Sequence, residues 1–520
     1  MLKSPLKTHS LVALLLVALV AVGYASILGV PFLSDDYGII EKVVSPGGAT
    51  NWARVLGDFQ GPLFGFRAMY RPLYTLSFAL DYSLFGIWAP GYHLTNLVLH
   101  AVSSFFVYLI ALELVRNEWR RGAAITAGAI FALHPIHPES VTWIAGRVDL
   151  ICAVFYLAAM FLFLRWLRAA NNLYLALSLA AFALSLMAKE MAVTLPGLLL
   201  LISLYCGKDL KGSVLRVLPF TVLLGAYFLF RYLILSGVET NQILARDAGI
   251  LEILQNFVYR TLHMFLPLNL GVISTPWLRQ LLDSAFSFWP LLLAGLLLLA
   301  WSRNKLLLLS FGLYTLSLVP VLPALTRTDL LLTTSRWFYI PSAFLSILVA
   351  GLVWTAVANY RRWRLPAAGL VCGAFLAMLL ANNSVWVQAG EMGEKLARET
   401  ERPEFPVKYK GAHVFLNEGL WQQAHGLPFR ERGELPRLKA SGEVGAVNLE
   451  EERFALRRGS GENTAMGFDP GITRVERGDA EAGVEELERG QSVRIVYVVG
   501  YEGNLARFIK IRDSGDARSG

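Results

Sequence analysis

The chain has 520 residues, of which 55% are hydrophobic and only 17% charged, with a mean hydropathy of +0.49. A soluble protein would carry about 25% charged residues, so a soluble globular fold is excluded. The net charge of +8 does not point to nucleic acid, because the Lys and Arg residues sit mostly in short links between apolar runs, where they orient a membrane protein.

Only helices and closed barrels satisfy their backbone groups in lipid. The apolar runs are continuous and Leu-rich, not alternating at period two, so an α-helical polytopic membrane protein is expected and a barrel is not. At about 20 residues per span, roughly eleven helices are predicted. They lie near 9–29, 92–114, 121–134, 147–166, 172–188, 191–206, 214–235, 284–302, 305–323, 337–358 and 366–387, the third, fifth and sixth being short. A cleaved leader is the competing reading of the first run, but that run continues past the small residues of "GYAS", which suits a span. Cys152, Cys206 and Cys372 each lie in or beside an apolar run and far from one another. They read as packing residues, not as a disulfide framework or zinc site.

Basic residues set the orientation. With Lys3 and Lys7 in the cytoplasm, the predicted inner links hold Arg116, Arg120 and Arg121; Arg165 and Arg168; Lys208, Lys211 and Arg216; Arg303 and Lys305; and Arg361, Arg362 and Arg364. Every inner link is basic, as the positive-inside rule requires. An odd number of spans places the C-terminus outside. The longer outer segments are 30–91, with Asp35, Asp36 and "YRPLY", and 236–283, where "ILEILQNFVYRTLHMFLPLNL" predicts an amphipathic helix on the membrane surface. From about 390 the chain turns rich in Glu, Arg and Gly, and "SVRIVYVVGYEG" and "ARFIKIRDS" predict strands. Two domains are expected: a transmembrane catalytic domain over 1–389 and a small extracytoplasmic α+β or mostly β domain over 390–520.

The outer helix ends collect ionisable residues: Asp35, Asp36, Arg71, His134, His137, Glu139, Arg147, Asp149, Lys189, Glu190, Arg327, Asp329 and Arg336. Such groups at membrane depth are functional candidates by default. A basic cluster at the lipid surface suits a phosphate or pyrophosphate head group. Two carboxylates beside it suit a general base, a divalent cation such as Mg2+ or Mn2+, or both. Each signal has a plainer reading. The Asp pair could mark where a helix meets water. "HPIHPES" could be a turn stiffened by Pro135 and Pro138, and its His134, His137 and Glu139 match no zinc spacing. Lys189 and Glu190 could neutralise each other at a helix end. Arg336 in "SRWFYIP" could be an interfacial anchor.

Taken in order, "SDDYGII", "YRPLYTLSFALDYSLFGIWAPGYHLTNLVLH", "HPIHPESVTWIAGRVDLICAVFYLAAMFLF", "AKEMAVTLPGLLLL" and "SRWFYIPS" resemble the membrane half of the transmembrane and tetratricopeptide-repeat O-mannosyltransferases and their bacterial relatives, which belong to the GT-C class. The repeats of the animal members are not visible in 390–520. The resemblance implies a GT-C-like glycosyltransferase using a sugar, mannose or another hexose, on a polyprenyl phosphate. The acceptor would be a hydroxyl of a protein, lipid or glycan, and transfer would invert the anomeric centre. It implies Asp35 as the base, with Asp36 orienting the acceptor or helping Asp35 to hold a metal. The donor phosphate falls to Arg71, His134, His137, Arg147, Lys189 and Arg336. Of these, Arg71, Lys189 and Arg336 come first because their charge needs no tuned pKa. Tyr70, Glu139 and Glu190 are assigned to the acceptor and sugar pocket. A bacterial inner membrane with a periplasmic site is expected, although an endoplasmic reticulum membrane with a lumenal site would read the same. Membrane lipids are expected partners and nucleic acid is not. A transporter or flippase of a lipid-linked saccharide would show paired half-helices or internal repeats, which are not visible. An O-antigen-ligase-like transferase is not expected to place an acidic pair after its first helix.

Reporter fusions at residues 35 and 390 are expected to report the non-cytoplasmic side and a fusion at 118 the cytoplasmic side. A cytosolic signal at residue 35 would invert the orientation.

Overall fold

The computed structural model describes residues 5–33, 35–45, 48–59, 70–235, isolated positions between 253 and 265, 304–321, 335–399, and the strands with a few flanking residues between 407 and 511. The helices, in chain order, are α1 (Pro5–Tyr24), α2 (Asp35–Val43), α3 (Trp52–Gly57), α4 (Pro72–Phe85), α5 (Ala89–Leu114), α6 (Arg120–Ala132) and α7 (Pro138–Val141). They continue with α8 (Arg147–Ala169), α9 (Asn172–Leu186), α10 (Leu195–Tyr205), α11 (Leu210–Leu235), α12 (Lys305–Ser317), α13 (Tyr339–Ala356) and α14 (Arg364–Glu399). Each predicted apolar segment falls on one of these helices except 284–302, which lies outside the described residues, as do Arg327 and Asp329.

Among the described residues, six helices are long and apolar enough to cross a membrane: Lys7–Gly29, Ala89–Leu114, Ile144–Ala169, Leu210–Ile234, Ser335–Ala356 and Arg361–Glu391. Three more, Asn172–Leu186, Glu190–Tyr205 and Lys305–Val321, are apolar but shorter. Large apolar side chains stay exposed along them, including Leu11 and Leu14 on α1, Val222 and Leu229 on α11 and Leu370 on α14. Contiguous exposed apolar surface of this extent belongs in lipid. The amphipathic segment predicted within 236–283 is described only in part. Phe257, Thr261 and Met264 follow helical spacing, Met264 is fully buried, and the Tyr314 hydroxyl donates to Thr261 Oγ1 at 3.0 Å, so these positions face the bundle.

Local chemistry starts and stops the elements that matter. Pro72 sits in the first turn of α4, where a missing N–H costs nothing. Gly86 ends that helix at φ +57°, a conformation that favours glycine. Gly146 lies so close to the 139–140 backbone that a Cβ would meet Glu139 O at 2.2 Å. That close approach folds the segment before α8 back on α7.

The bundle has two chemically distinct ends. At one end the basic links meet: Glu113 pairs with Arg165 at 3.3 Å and Arg168 at 2.5 Å, Glu118 with Arg364 at 2.8 Å, and the Tyr205 hydroxyl donates to Leu114 O at 2.8 Å. At the other end, irregular segments are held by polar side chains projecting from helices. Asn382 donates to Pro135 O at 2.7 Å, Asn383 donates to Gly23 O at 3.0 Å and accepts from Thr142 Oγ1 at 2.7 Å, and Asn96 donates to Val141 O at 3.1 Å. A ring nitrogen of His93 donates to Val30 O at 2.8 Å. Non-helical backbone at membrane depth is tolerated only where such partners satisfy it.

After α14, which runs to Glu399 past the predicted boundary at 389, the chain forms strands β1 (Val407–Tyr409), β2 (Ala412–Val414), β3 (Leu438–Asn448), β4 (Arg453–Arg457), β5 (Asn463–Gly467), β6 (Arg474–Arg477), β7 (Ala480–Ala482), β8 (Ser492–Gly500) and β9 (Gly503–Ile511). β1 pairs with β2 alone. The others form a seven-stranded sheet in the order β5-β4-β3-β8-β9-β6-β7, in which β5 also pairs with β9 in parallel. β8 and β9 are the two strands predicted from sequence, paired antiparallel with Gly500 opposite Gly503.

Among the described residues, Arg147 is the most deeply embedded cation. Its side chain is 0% exposed and pairs with Asp81 at 2.5 Å. Its Nε donates to Asn96 Oδ1 at 2.7 Å and its Nη2 to Tyr92 O at 2.9 Å, and the guanidinium lies over the rings of Phe78 and Tyr92. It therefore pins α4, α5 and α8 together. Removing one member of such a pair strands the other. Arg147→Met is expected to lower stability by about 3–5 kcal/mol, read as a large fall in the melting temperature of the detergent-solubilised protein. An unchanged melting temperature would remove the structural role.

Candidate functional site

The end opposite the basic links holds the sequence-predicted residues, and the structure sorts them. Asp35 and Asp36 open α2, where acidic groups complement the helix dipole. Asp36 is 1% exposed. Its Oδ2 accepts Leu33 N–H at 2.8 Å and its Oδ1 accepts Ala145 N–H at 2.7 Å. It is thus a tie between the first loop and the segment leading into α8. Asp35, its neighbour, is half-buried. Trp143 strengthens the tie by donating its Nε1 to Leu33 O at 3.3 Å. Tyr74 donates to Ala145 O at 2.9 Å. Asp36, Asp35, Arg71 and Arg147 all lie within electrostatic reach of that phenol.

Next to this tie runs a row of ion pairs. Arg71 meets Glu190 at 2.7 Å, and Arg231 meets the other oxygen of the same carboxylate at 3.0 Å. Lys189 donates to Asp149. Arg71 and Arg336 both act on Lys189, so the pairs form one neighbourhood. Burial pulls the Lys189 ammonium down, and Asp149 opposes this. Arg336 stacks over Trp143 at 5.1 Å and lies 3.6 Å from Glu139. That separation is an ion pair without a hydrogen bond, since Arg336 Nε has no hydrogen-bond partner. Arg71, Arg231 and Arg336 keep about a quarter of their side chains exposed (22%, 23% and 30%), and Lys189 keeps 9%.

The structure does not carry every predicted residue to this rim. His134 and His137 are fully buried among Phe131, Tyr339 and Phe375. His137 bonds Ser342 Oγ at 2.7 Å, and burial, reinforced by neighbouring His100 and His134, drives its pKa well down. A neutral imidazole packed in this way is no phosphate ligand, and the turn stiffened by two prolines is the better description of "HPIHPES". Arg147 is fully buried and paired with Asp81, so none of its side chain is exposed at the rim. Glu139 is buried and accepts from Ser335 Oγ at 2.7 Å and from Arg336 N at 2.8 Å. It anchors the turn ahead of α13, and burial raises its pKa against the opposing pull of Arg336. Tyr70 is buried, donates to Phe59 O at 3.0 Å and packs edge-on against Phe230.

Two residues that sequence reasoning passed over belong to the site. Arg231 interrupts "FLFRYLIL" in α11, and an arginine inside an apolar run is itself a functional signal. Tyr74 lies within the quoted "YRPLY", but nothing local marks its contact with Ala145. Among the described residues, no group of three or more His, Cys, Asp or Glu side chains converges as a metal site. Both oxygens of Asp36 already accept backbone N–H groups.

No family model matches the chain. Over 289 residues, 51% of this chain, it is 34% identical to the protein O-mannosyl-transferase Tmtc2 of Drosophila melanogaster, covering 30% of that protein. It is 39% identical over 183 residues to Tmtc1 of the same species, 34% of this chain and 21% of that protein. It is 33% identical over 132 residues to human TMTC3, 25% of this chain and 14% of that protein. The matched segments thus span less than a third of these relatives. Among solved structures, ArnT from Cupriavidus metallidurans in the apo state is similar at a TM-score of 0.44 and 14% identity, covering 79% of this chain and 84% of that one. The arabinosyltransferase EmbB from Mycobacterium smegmatis is similar at 0.33 and 12% identity, covering 96% and 60%. These structural likenesses are loose.

The tie at Asp36 makes stability depend on pH. Burial pushes its carboxyl up to about 8, with Asp35 adding to the rise and the Leu33 and Ala145 N–H groups and Arg147 opposing it. The folded chain then holds a proton that an unfolded carboxyl of pKa ~3.9 releases. This contribution is full below about pH 4 and is lost as pH rises through about 8. The melting temperature should fall between those limits, and Asp36→Asn should flatten the slope. An equal slope in the variant would contradict the assignment.

Proposed function

We propose that the chain is an integral membrane glycosyltransferase that moves a hexose, mannose by analogy with the named relatives, from a polyprenyl-phosphate donor to an acceptor hydroxyl. The single observation that carries this reading is the shared electrostatic neighbourhood at one end of an apolar bundle. Asp35, Arg71, Lys189 and Arg336 come from four separate stretches of chain: Asp35 and Arg71 both reach Tyr74, and Arg71 and Arg336 both act on Lys189, so Arg71 links the acidic end to the other two cations.

The chemistry follows from that placement. Asp35, half-buried beside the fixed Asp36, takes the proton of the acceptor hydroxyl. The freed oxygen attacks the anomeric carbon from the face opposite the phosphate, a new C–O bond forms and the bond to the phosphate oxygen breaks. The electron pair leaves with the polyprenyl phosphate, so the anomeric centre inverts. Arg71, Lys189 and Arg336 meet the charge that develops on the leaving phosphate, where fixed cations in a water-poor site are most effective. Asp36 acts as a positioning residue through Leu33 and Ala145. A divalent cation enters this reading only as a partner of Asp35, and adding or chelating Mg2+ during transfer tests it. The reaction is assigned to the side away from the basic links, the periplasmic side if the membrane is a bacterial inner membrane. The sheet over 438–511 and its flanks are placed on the same side as the domain that meets a protein, lipid or glycan acceptor.

Asp35→Asn removes the proton acceptor at constant shape. Transfer by the purified variant should fall by about 10²–10⁴-fold, with donor binding retained. Full transfer by the variant would remove the base assignment.

A further inference from the structure

Positive charge at the basic end of the bundle is unevenly spread. Glu113 answers Arg165 and Arg168, and the link before α11 carries its own carboxylate, Asp209, between Lys208 and Lys211. The α5–α6 link and the turn between α13 and α14 differ. Residues 115–121 and 357–364 together hold six arginines and one carboxylate, Glu118. Arg364 pairs with Glu118 at 2.8 Å and donates to Ala358 O at 2.5 Å, and Arg120 donates to Leu112 O at 2.5 Å. The other four, Arg116, Arg121, Arg361 and Arg362, are exposed, so the excess charge lies on the outside.

The two stretches form one face. Trp354 of α13 stacks on Trp119 with ring centroids 6.2 Å apart, and its Nε1 donates to Thr126 Oγ1 at 3.0 Å. A Cβ at Gly122 would meet the Trp354 ring at 2.1 Å, so only glycine lets α13 seat on α6 here. Beside Arg361 and Arg362, Tyr360 and Trp363 are more than half exposed, the mixture of aromatic and basic side chains that suits a membrane interface. Leu365 and Leu370, in the first two turns of α14, are about three-quarters exposed and continue the face as an apolar wall. A nucleic acid or an acidic soluble protein would use the cations and leave that wall idle. A phospholipid uses both.

We propose that this face binds an anionic phospholipid of the leaflet at the basic end, its phosphate held by the exposed arginines and its acyl chains lying along Leu365 and Leu370. A zwitterionic lipid brings no net charge to offset the excess, so the face selects lipids such as phosphatidylglycerol over phosphatidylcholine. The site lies at the end of the bundle opposite the proposed transfer chemistry and does not depend on it.

The test is native mass spectrometry of the full chain in a non-ionic detergent, titrated with phosphatidylglycerol or phosphatidylcholine. The first phosphatidylglycerol should bind at least about tenfold more tightly than phosphatidylcholine, because each arginine near an anionic lipid contributes about fivefold. Arg361→Gln/Arg362→Gln should remove most of that preference, and Arg116→Gln/Arg121→Gln should reduce it independently. All four residues are exposed, so both variants should keep the wild-type melting temperature. Lys208→Gln/Lys211→Gln, on a different inner link, should keep the preference within about twofold. No preference in the wild type, or an unchanged preference in both arginine variants, would overturn the proposal. An equal loss in the lysine variant would mean a diffuse charge effect and would overturn it too. Inorganic phosphate and a short single-stranded oligonucleotide should not displace the bound lipid. Displacement by either would make the face a general anion surface and contradict a lipid site.

Discussion

A charge held against a Leu-rich bundle needs a partner of opposite sign, because desolvation would otherwise outweigh any gain from its placement. At one end of this molecule each of the cations Arg71, Arg147, Lys189, Arg231 and Arg336 has a carboxylate beside it. The pairing is graded. Arg147–Asp81 is sealed, Lys189–Asp149 is nearly so, and the pairs involving Arg71, Arg231 and Arg336 open to the outside. The sealed pair joins the helices, and the open pairs keep part of their side chains exposed. Function in this reading is the exposed edge of an electrostatic network whose interior is structural.

The same division separates the two adjacent aspartates. Asp36 has both oxygens occupied by backbone N–H groups, one of them more than a hundred residues away in sequence. Asp35 beside it is half-buried. In the proposed reaction, the fixed carboxylate of Asp36 holds the segment that carries the base, Asp35. The irregular backbone of the outer end is paid for by Asn96, Asn382, Asn383 and His93, which project from helices into the loops. The scaffold around Asp35 is therefore set by helix-borne side chains rather than by the loop itself.

Much of this was legible in the sequence. Hydropathy located the helices because lipid imposes a length and a composition on any span, and the convergence of the basic links at one end follows from their placement in the chain. The strands β8 and β9 were visible through β-branched residues flanking a glycine turn. What stayed hidden depends on distant partners. Nothing local distinguishes Asp36 from Asp35, or a sealed Arg147 from an open Arg71. Those differences arise from Ala145 and Asp81, which only folding brings near. His134 and His137 looked chemical because histidine is reactive, yet the fold uses them as packing. Arg231 is the opposite case: its signal, a lone charge in an apolar helix, was present in the sequence and was overlooked beside the denser motifs.

The most direct measurement places purified chain in sealed proteoliposomes with labelled polyprenyl-phosphate hexose and a hydroxyl acceptor on the side that bears Asp35. Glycosylated acceptor and free polyprenyl phosphate should appear in equal amounts. Passage of the labelled lipid across the bilayer, with no glycosylated product, would contradict a transferase and leave the charged rim as the mouth of a transporter.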